Sequence, residues 1–120
     1  MPYTRLRPMI WTKELDATIQ FYTEMLGFNC IAHEPEMGWA ALGKDQVELM
    51  LAHPPEHFPF DGPAFTGSFY INVDDVDSLW NRISELVSVS YPIESFDYGM
   101  REFGIYDNNG YLLQFGQEIE

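Results

Sequence analysis

At 120 residues, 46% hydrophobic and 16% aromatic, the chain is long enough for one domain with its own core and needs no disulfide or metal staple. A formal net charge of −13 argues against nucleic acid or anionic membrane as partners and favours cationic ones. The lone Cys30 excludes an internal disulfide and is expected to pack on a strand. No apolar run approaches the ~18–20 residues of a membrane span. The start MPYTRLRPM lacks a signal-like apolar core, so a reducing cytoplasmic setting is expected.

In chain order, RPMIWT reads as a strand. KELDATIQFYTEMLGF reads as a helix, with Leu15, Ile19, Tyr22 and Leu26 on one face, Thr12 as a candidate cap and Gly27 as the stop. Three strand-like stretches follow, Asn29–Glu34, Trp39–Leu42 and Gln46–Ala52, the last two joined through GKD. The proline-rich AHPPEHFPFDGPAFTG, 52–67, is the one candidate linker. Beyond it the order recurs. SFYINV is a strand, and DDVDSLWNRISELV is a helix with Val76, Leu79, Ile83 and Leu86 in line behind an acidic cap. Val89–Ile93, Glu102–Tyr106 and Tyr111–Gln117 are strands, the last two joined through DNNG. A fixed offset of 61 residues pairs Ile10 with Ile71, Leu15 with Val76, and Gly38 with Gly99. The chain therefore reads as two β-α-β-β-β units. Charge is uneven between them: eight acids and four bases in residues 1–60, eleven and two in 61–120.

Three stretches resemble the vicinal oxygen chelate superfamily: the FY…LGF run from Phe21-Tyr22 to Phe28, VDDVDSL at 73–79, and YGMREFGIYDNNGYLLQFGQE at 98–118. That superfamily includes glyoxalase I, extradiol dioxygenases, fosfomycin-resistance enzymes and bleomycin-resistance proteins. GMREF…DNNGYLLQFG is most similar to the bleomycin-resistance-like branch. The resemblance implies an α+β fold in a single domain, 1–120, built of two βαβββ modules, about 1–60 and 61–120. Their curved mixed sheets would form a cup with the helices packed outside, and the protein would be a homodimer.

Strand alternation sorts the two sheet faces. Ile10, Leu49, Leu51, Ile71, Phe103, Ile105, Leu113 and Phe115 share the parity expected under the helices. The other parity points into the cup and supplies the candidate ligand-binding residues Arg7, Trp39, Glu48, Met50, Ser68, Tyr70, Glu102 and Gln114. Glu48 and Gln114 are read as counterparts on the last strands of the two units.

In metal-dependent members of the family, His, Gln or Glu ligands stand on the first and last strands of each unit. The matching positions here are Arg7, Glu48, Ser68 and Gln114, and only Glu48 is a good hard-metal donor, so no metal and no other cofactor is expected. His53 and His57 are separated by two prolines, which disfavours a shared helix face, and His33 stands on a strand.

What remains is an aromatic, acidic cup. Trp11, Trp39 and Tyr70, with Phe58 and Phe60 from the linker, could clamp a flat ligand, while Glu48 and Glu102 favour a cation. Glu102 could instead pair with Arg7. The leading expectation is a non-metal protein that sequesters a planar cationic small molecule, as in bleomycin-type antibiotic resistance. Two alternatives stand beside it. One is a metal-dependent lyase or dioxygenase of the same superfamily; the other is a metal-free enzyme with Glu48 or Glu102 as general base.

Overall fold

The structure, a computed structural model, describes residues 1–120. It divides the chain into two compact units, Met1–Gly62 and Pro63–Glu120. The first runs β1 (Met9–Trp11), α1 (Leu15–Gln20), β2 (Asn29–Glu34), β3 (Trp39–Lys44) and β4 (Val47–Ala52). The second runs β5 (Phe69–Asn72), α2 (Val76–Ile83), β6 (Ser88–Ser95), β7 (Met100–Tyr106) and β8 (Leu112–Glu118). Each unit is a four-stranded mixed sheet, ordered β1-β4-β3-β2 and β5-β8-β7-β6. The first and last strands are parallel and the other neighbours antiparallel. This is an α+β architecture of two βαβββ units, as the sequence pattern predicts. No helix is long and apolar enough to cross a membrane.

Alternation decides which sheet face is covered. In the first unit Ile10, Leu42, Leu49 and Leu51 are buried together with Tyr22 and Leu26 of the helical segment. In the second, Phe103, Ile105, Leu113 and Phe115 are buried along with Val76 and Ile83 of α2. Trp80 of α2 lies against Phe103 with ring centroids 5.1 Å apart, and Phe103 stacks on Phe115 at 5.4 Å. Each such buried side chain contributes roughly 1.5–3 kcal/mol, which makes these two faces the cores of the units.

The helices are shorter than their apolar periodicity. α1 passes into a π-type turn at Phe21–Met25, where Thr23 Oγ1 donates back to the Ile19 carbonyl at 2.9 Å. α2 stops at Ile83, and Leu86, expected on its buried face, is exposed. Thr12 closes the turn ahead of α1 instead of occupying the cap position: it accepts the Glu14 N–H at 3.0 Å and meets Thr18 Oγ1 at 2.9 Å. The acidic cap of α2 is Asp75, which accepts the Ser78 N–H at 3.2 Å. Cys30, expected to pack, is exposed on β2 and donates to the Ala32 carbonyl; β2 is an edge strand exposed along both of its faces.

The ladders also correct one match between the units. Met9 faces Met50 as Tyr70 faces Gln114, so the counterpart of Gln114 is Met50, and Glu48 corresponds to Leu112. The cause is loop length. Lys44 pairs with Val47 around a two-residue turn, whereas Tyr106 pairs with Leu112 around five residues. Three extra residues shift everything after them.

Candidate functional site

The helix-free face of the second sheet carries a connected polar network. Glu102 on β7 is 2% exposed, and a carboxylate so buried demands hydrogen-bond partners. Three tyrosines supply them. Oε1 accepts from Tyr70 Oη at 3.0 Å and Tyr98 Oη at 2.8 Å, and Oε2 accepts a short bond from Tyr91 Oη. Tyr91 in turn accepts from Gln114 Nε2 at 2.9 Å, and Gln114 Oε1 accepts from Ser68 Oγ. The amide orientation follows from the carboxylate. Glu102 only accepts, so Tyr91 commits its single proton there and must meet the amino end of Gln114.

Backbone register brings these residues within reach. Tyr70 is level with Gln114, Glu102 with Gly116, and Gly104 with Gln114. The Tyr70 side chain crosses Gly116, where an added Cβ would lie 1.9 Å from its hydroxyl. The Tyr91 ring crosses Gly104, where a Cβ would lie 2.4 Å from Cε1. Two glycines inside strands thus open the channels through which the phenols reach the acid.

The environment holds the phenols in their protonated form. Burial first, then the bond to Glu102, pushes the Tyr70 hydroxyl up to about 12. The same causes in the same order raise Tyr91, and the Glu102 bond followed by burial raises Tyr98.

Of the residues expected in the site, Ser68, Tyr70, Glu102 and Gln114 are joined in this one network. The four from the first unit are not part of it. Glu48 is bound by Arg5 Nη1 at 2.6 Å, Arg7 is exposed ahead of β1, and Trp39 and Met50 lie on their own sheet. The partners of Glu102 are phenols, and the pairing with Arg7 is not among them. Ladder equivalence sets Met9, Met50, Ala52, Trp39 and Ala41 where the second sheet has Tyr70, Gln114, Gly116, Glu102 and Gly104. Every polar member of the network met by this comparison has an apolar counterpart.

Trp11 meets Phe58 and Phe60 edge-on, with centroids 5.6 and 6.1 Å away, so these rings pack on one another. A groove of about 410 Å³ on the first unit runs beside Arg5, Ile31, Lys44 and Glu48. Its charges are paired, Arg5 with Glu48 and, at 3.8 Å, Lys44 with Asp45.

Tyr91, Tyr98, Arg5 and the two glycines escaped the sequence reading. Tyr91 stands between register shifts at Val89/Tyr91 and Tyr91/Glu94, which break the alternation used to assign faces. Glycines in the interior of two adjacent strands were the available signal.

The positions that hold metal in some related folds do not fit a divalent ion here. Arg7 is a cation, Ser68 and Gln114 bond each other, the ladder counterpart of Gln114 is Met50, and Glu48, the expected donor, holds Arg5. No three His, Cys, Asp or Glu side chains are grouped to receive one.

Two tandem βαβββ units, each a four-stranded mixed sheet with first and last strands parallel, define a class of proteins built on repeated modules. Residues 5–115 match the model of the Glyoxalase/Bleomycin resistance protein/Dioxygenase superfamily, and the chain belongs to it. Among solved structures it is similar to TioX from Micromonospora sp. ML1, at 17% identity and TM-score 0.79, over 97% of this chain and 100% of that one. A lactoylglutathione lyase from Agrobacterium tumefaciens is similar at 21% identity and TM-score 0.75, over 98% and 96%. A glyoxalase/bleomycin resistance protein/dioxygenase from Nocardioides is similar at 16% and 0.79, over 100% and 87%. At these identities the likeness is one of fold. No curated protein matches the chain.

Proposed function

We propose that this protein binds a flat, cationic small molecule on the helix-free face of its second sheet and holds it without transforming it, in the manner of the bleomycin-resistance branch. One observation carries the reading: a buried carboxylate, Glu102, accepts from the hydroxyls of Tyr70 and Tyr98, which stay 40% and 62% exposed. Its charge is balanced by hydroxyls and by no basic side chain. A cation over such rings gains roughly 0.5–2 kcal/mol from the π-faces, and the carboxylate at their hydroxyl ends adds attraction of the same sign.

Holding is favoured over proton transfer because both candidate bases are engaged. Glu102 already accepts three hydroxyl bonds, and Glu48 is paired with Arg5. The lyase reading draws on a structural neighbour that shares fold at 21% identity, and the donor set above speaks against a metal-assisted step. A lone exposed thiol suits a reducing compartment, so we take the cytoplasm as the setting.

Titration calorimetry with planar aromatic cations and with anions of equal size tests the proposal. Cations should bind more tightly, and their affinity should fall as salt rises. Equal affinity for both signs of charge would overturn it.

A further inference from the structure

The direction of the hydrogen bonds says more about the ligand than the charge does. Glu102 can only accept, so every proton in the network points toward it. Ser68 donates to Gln114, Gln114 to Tyr91, and Tyr91, Tyr70 and Tyr98 to the carboxylate. Three chains therefore run inward, and their outer ends are Ser68 Oγ, Tyr70 Oη and Tyr98 Oη. Each of those oxygens has committed its one proton and retains lone pairs. Within this network the second amide hydrogen of Gln114 is the one remaining donor, and the three outer ends offer acceptors. Phenol oxygens that donate to a carboxylate are also better acceptors themselves, since hydrogen bonds in a chain polarise one another.

We propose that this face selects ligands whose cation carries N–H groups, a primary ammonium or a guanidinium on a flat ring, and discriminates against quaternary ammonium on the same ring. The inference rests on the binding face proposed above and adds to it a requirement that charge and flatness do not impose. An aromatic cage acting through its π-faces alone would accept a trimethylammonium group. Acceptor oxygens meet in that group only methyls, and lose hydrogen bonds that N–H donors would make. Tyr98 and Tyr70 are the specificity-determining residues, because they combine an exposed ring with an acceptor oxygen.

The test uses the full chain and three probes followed by NMR shift titration: naphthylmethylammonium, its N,N,N-trimethyl analogue, and naphthylacetate. The primary ammonium should bind about tenfold more tightly than the trimethyl analogue. Tyr98→Phe, made at an exposed position, keeps the ring and removes the oxygen. It should weaken the primary ammonium by about fivefold and leave the trimethyl probe unchanged, and Tyr70→Phe should act in the same direction. Equal binding of the two cations, or equal losses for both in the Phe variants, overturns the donor requirement while leaving cation binding intact. Binding of naphthylacetate as tight as that of either cation overturns the underlying reading as well.

Discussion

Glu102 is the residue from which the rest of the second sheet's open face takes its order. Glu102→Gln keeps the shape but turns one acceptor into an amide donor facing a phenol donor. Loss of about 1–3 kcal/mol is expected, the cost of a buried hydrogen-bonding group left unmatched, as read by urea unfolding. Glu48→Gln removes an ion pair whose Arg5 side chain is 56% exposed, and should shift stability by less than about 1 kcal/mol. The tyrosines supply a pH test. Their folded values are raised above the ordinary 10, so the protonated phenol is the form that folding favours. Their contribution is present below pH 10 and is lost as pH climbs through the folded values, Tyr70 near 12. A tyrosinate absorbance titration of native protein should therefore show a late fraction that normalises on unfolding; titration of all seven tyrosines together near 10 would contradict the network. Ser68, Tyr70, Glu102 and Gln114 were legible in the sequence because strict alternation holds along β5, β7 and β8. Tyr91 was not, since the bulged β6 breaks parity, and Tyr98 lies in the turn that follows.

Between elements, Gly104 and Gly116 make a matched pair of substitutions with different expected outcomes. In Gly116→Ala the new Cβ meets the tip of Tyr70, at 40% exposure a side chain with room to swing outward. The fold should survive with little cost, and the Tyr70 titration should fall back toward 10 as it leaves Glu102. In Gly104→Ala the Cβ meets ring carbons of Tyr91 at 2.4 and 2.8 Å, and that ring is fixed at its hydroxyl by Gln114 and Glu102. Overpacking should cost about 1–3 kcal/mol, measured by denaturant unfolding; equal small effects at both sites would mean that neither phenol is held. At this scale the order and type of elements could be read from apolar periodicity. Register could not. Pairing Glu48 with Gln114 failed because a turn of two residues and a loop of five give the same kind of sequence signal, glycine and acid, while displacing the following strand differently.

For the whole molecule, the internal repeat was the strongest sequence signal, and Gly38 and Gly99, matched by the 61-residue offset, both adopt positive φ, 64° and 89°. Assembly is the expectation that belongs here. Met9 leaves apolar surface exposed on the helix-free face of the first sheet, and a two-fold homodimer that buries more than ~1,000 Å² in total would cover part of it. Light scattering at micromolar concentration should return twice the 13.9 kDa chain mass; a monomer would count against the dimer.

The apolar counterparts of the network, Met9, Met50, Ala52, Trp39 and Ala41, have a consequence for how this chain can change. A module present twice can drift in one copy while the other stays constrained. In the first copy the equivalent positions carry no partner-dependent polar group, so an exchange such as Met50→Leu disturbs packing alone and is mild. In the second, each polar member depends on the next, and a single exchange strands its neighbour. Heritable variation should therefore accumulate on one half and be filtered on the other, and a new specificity would arise most readily by recruiting the permissive half.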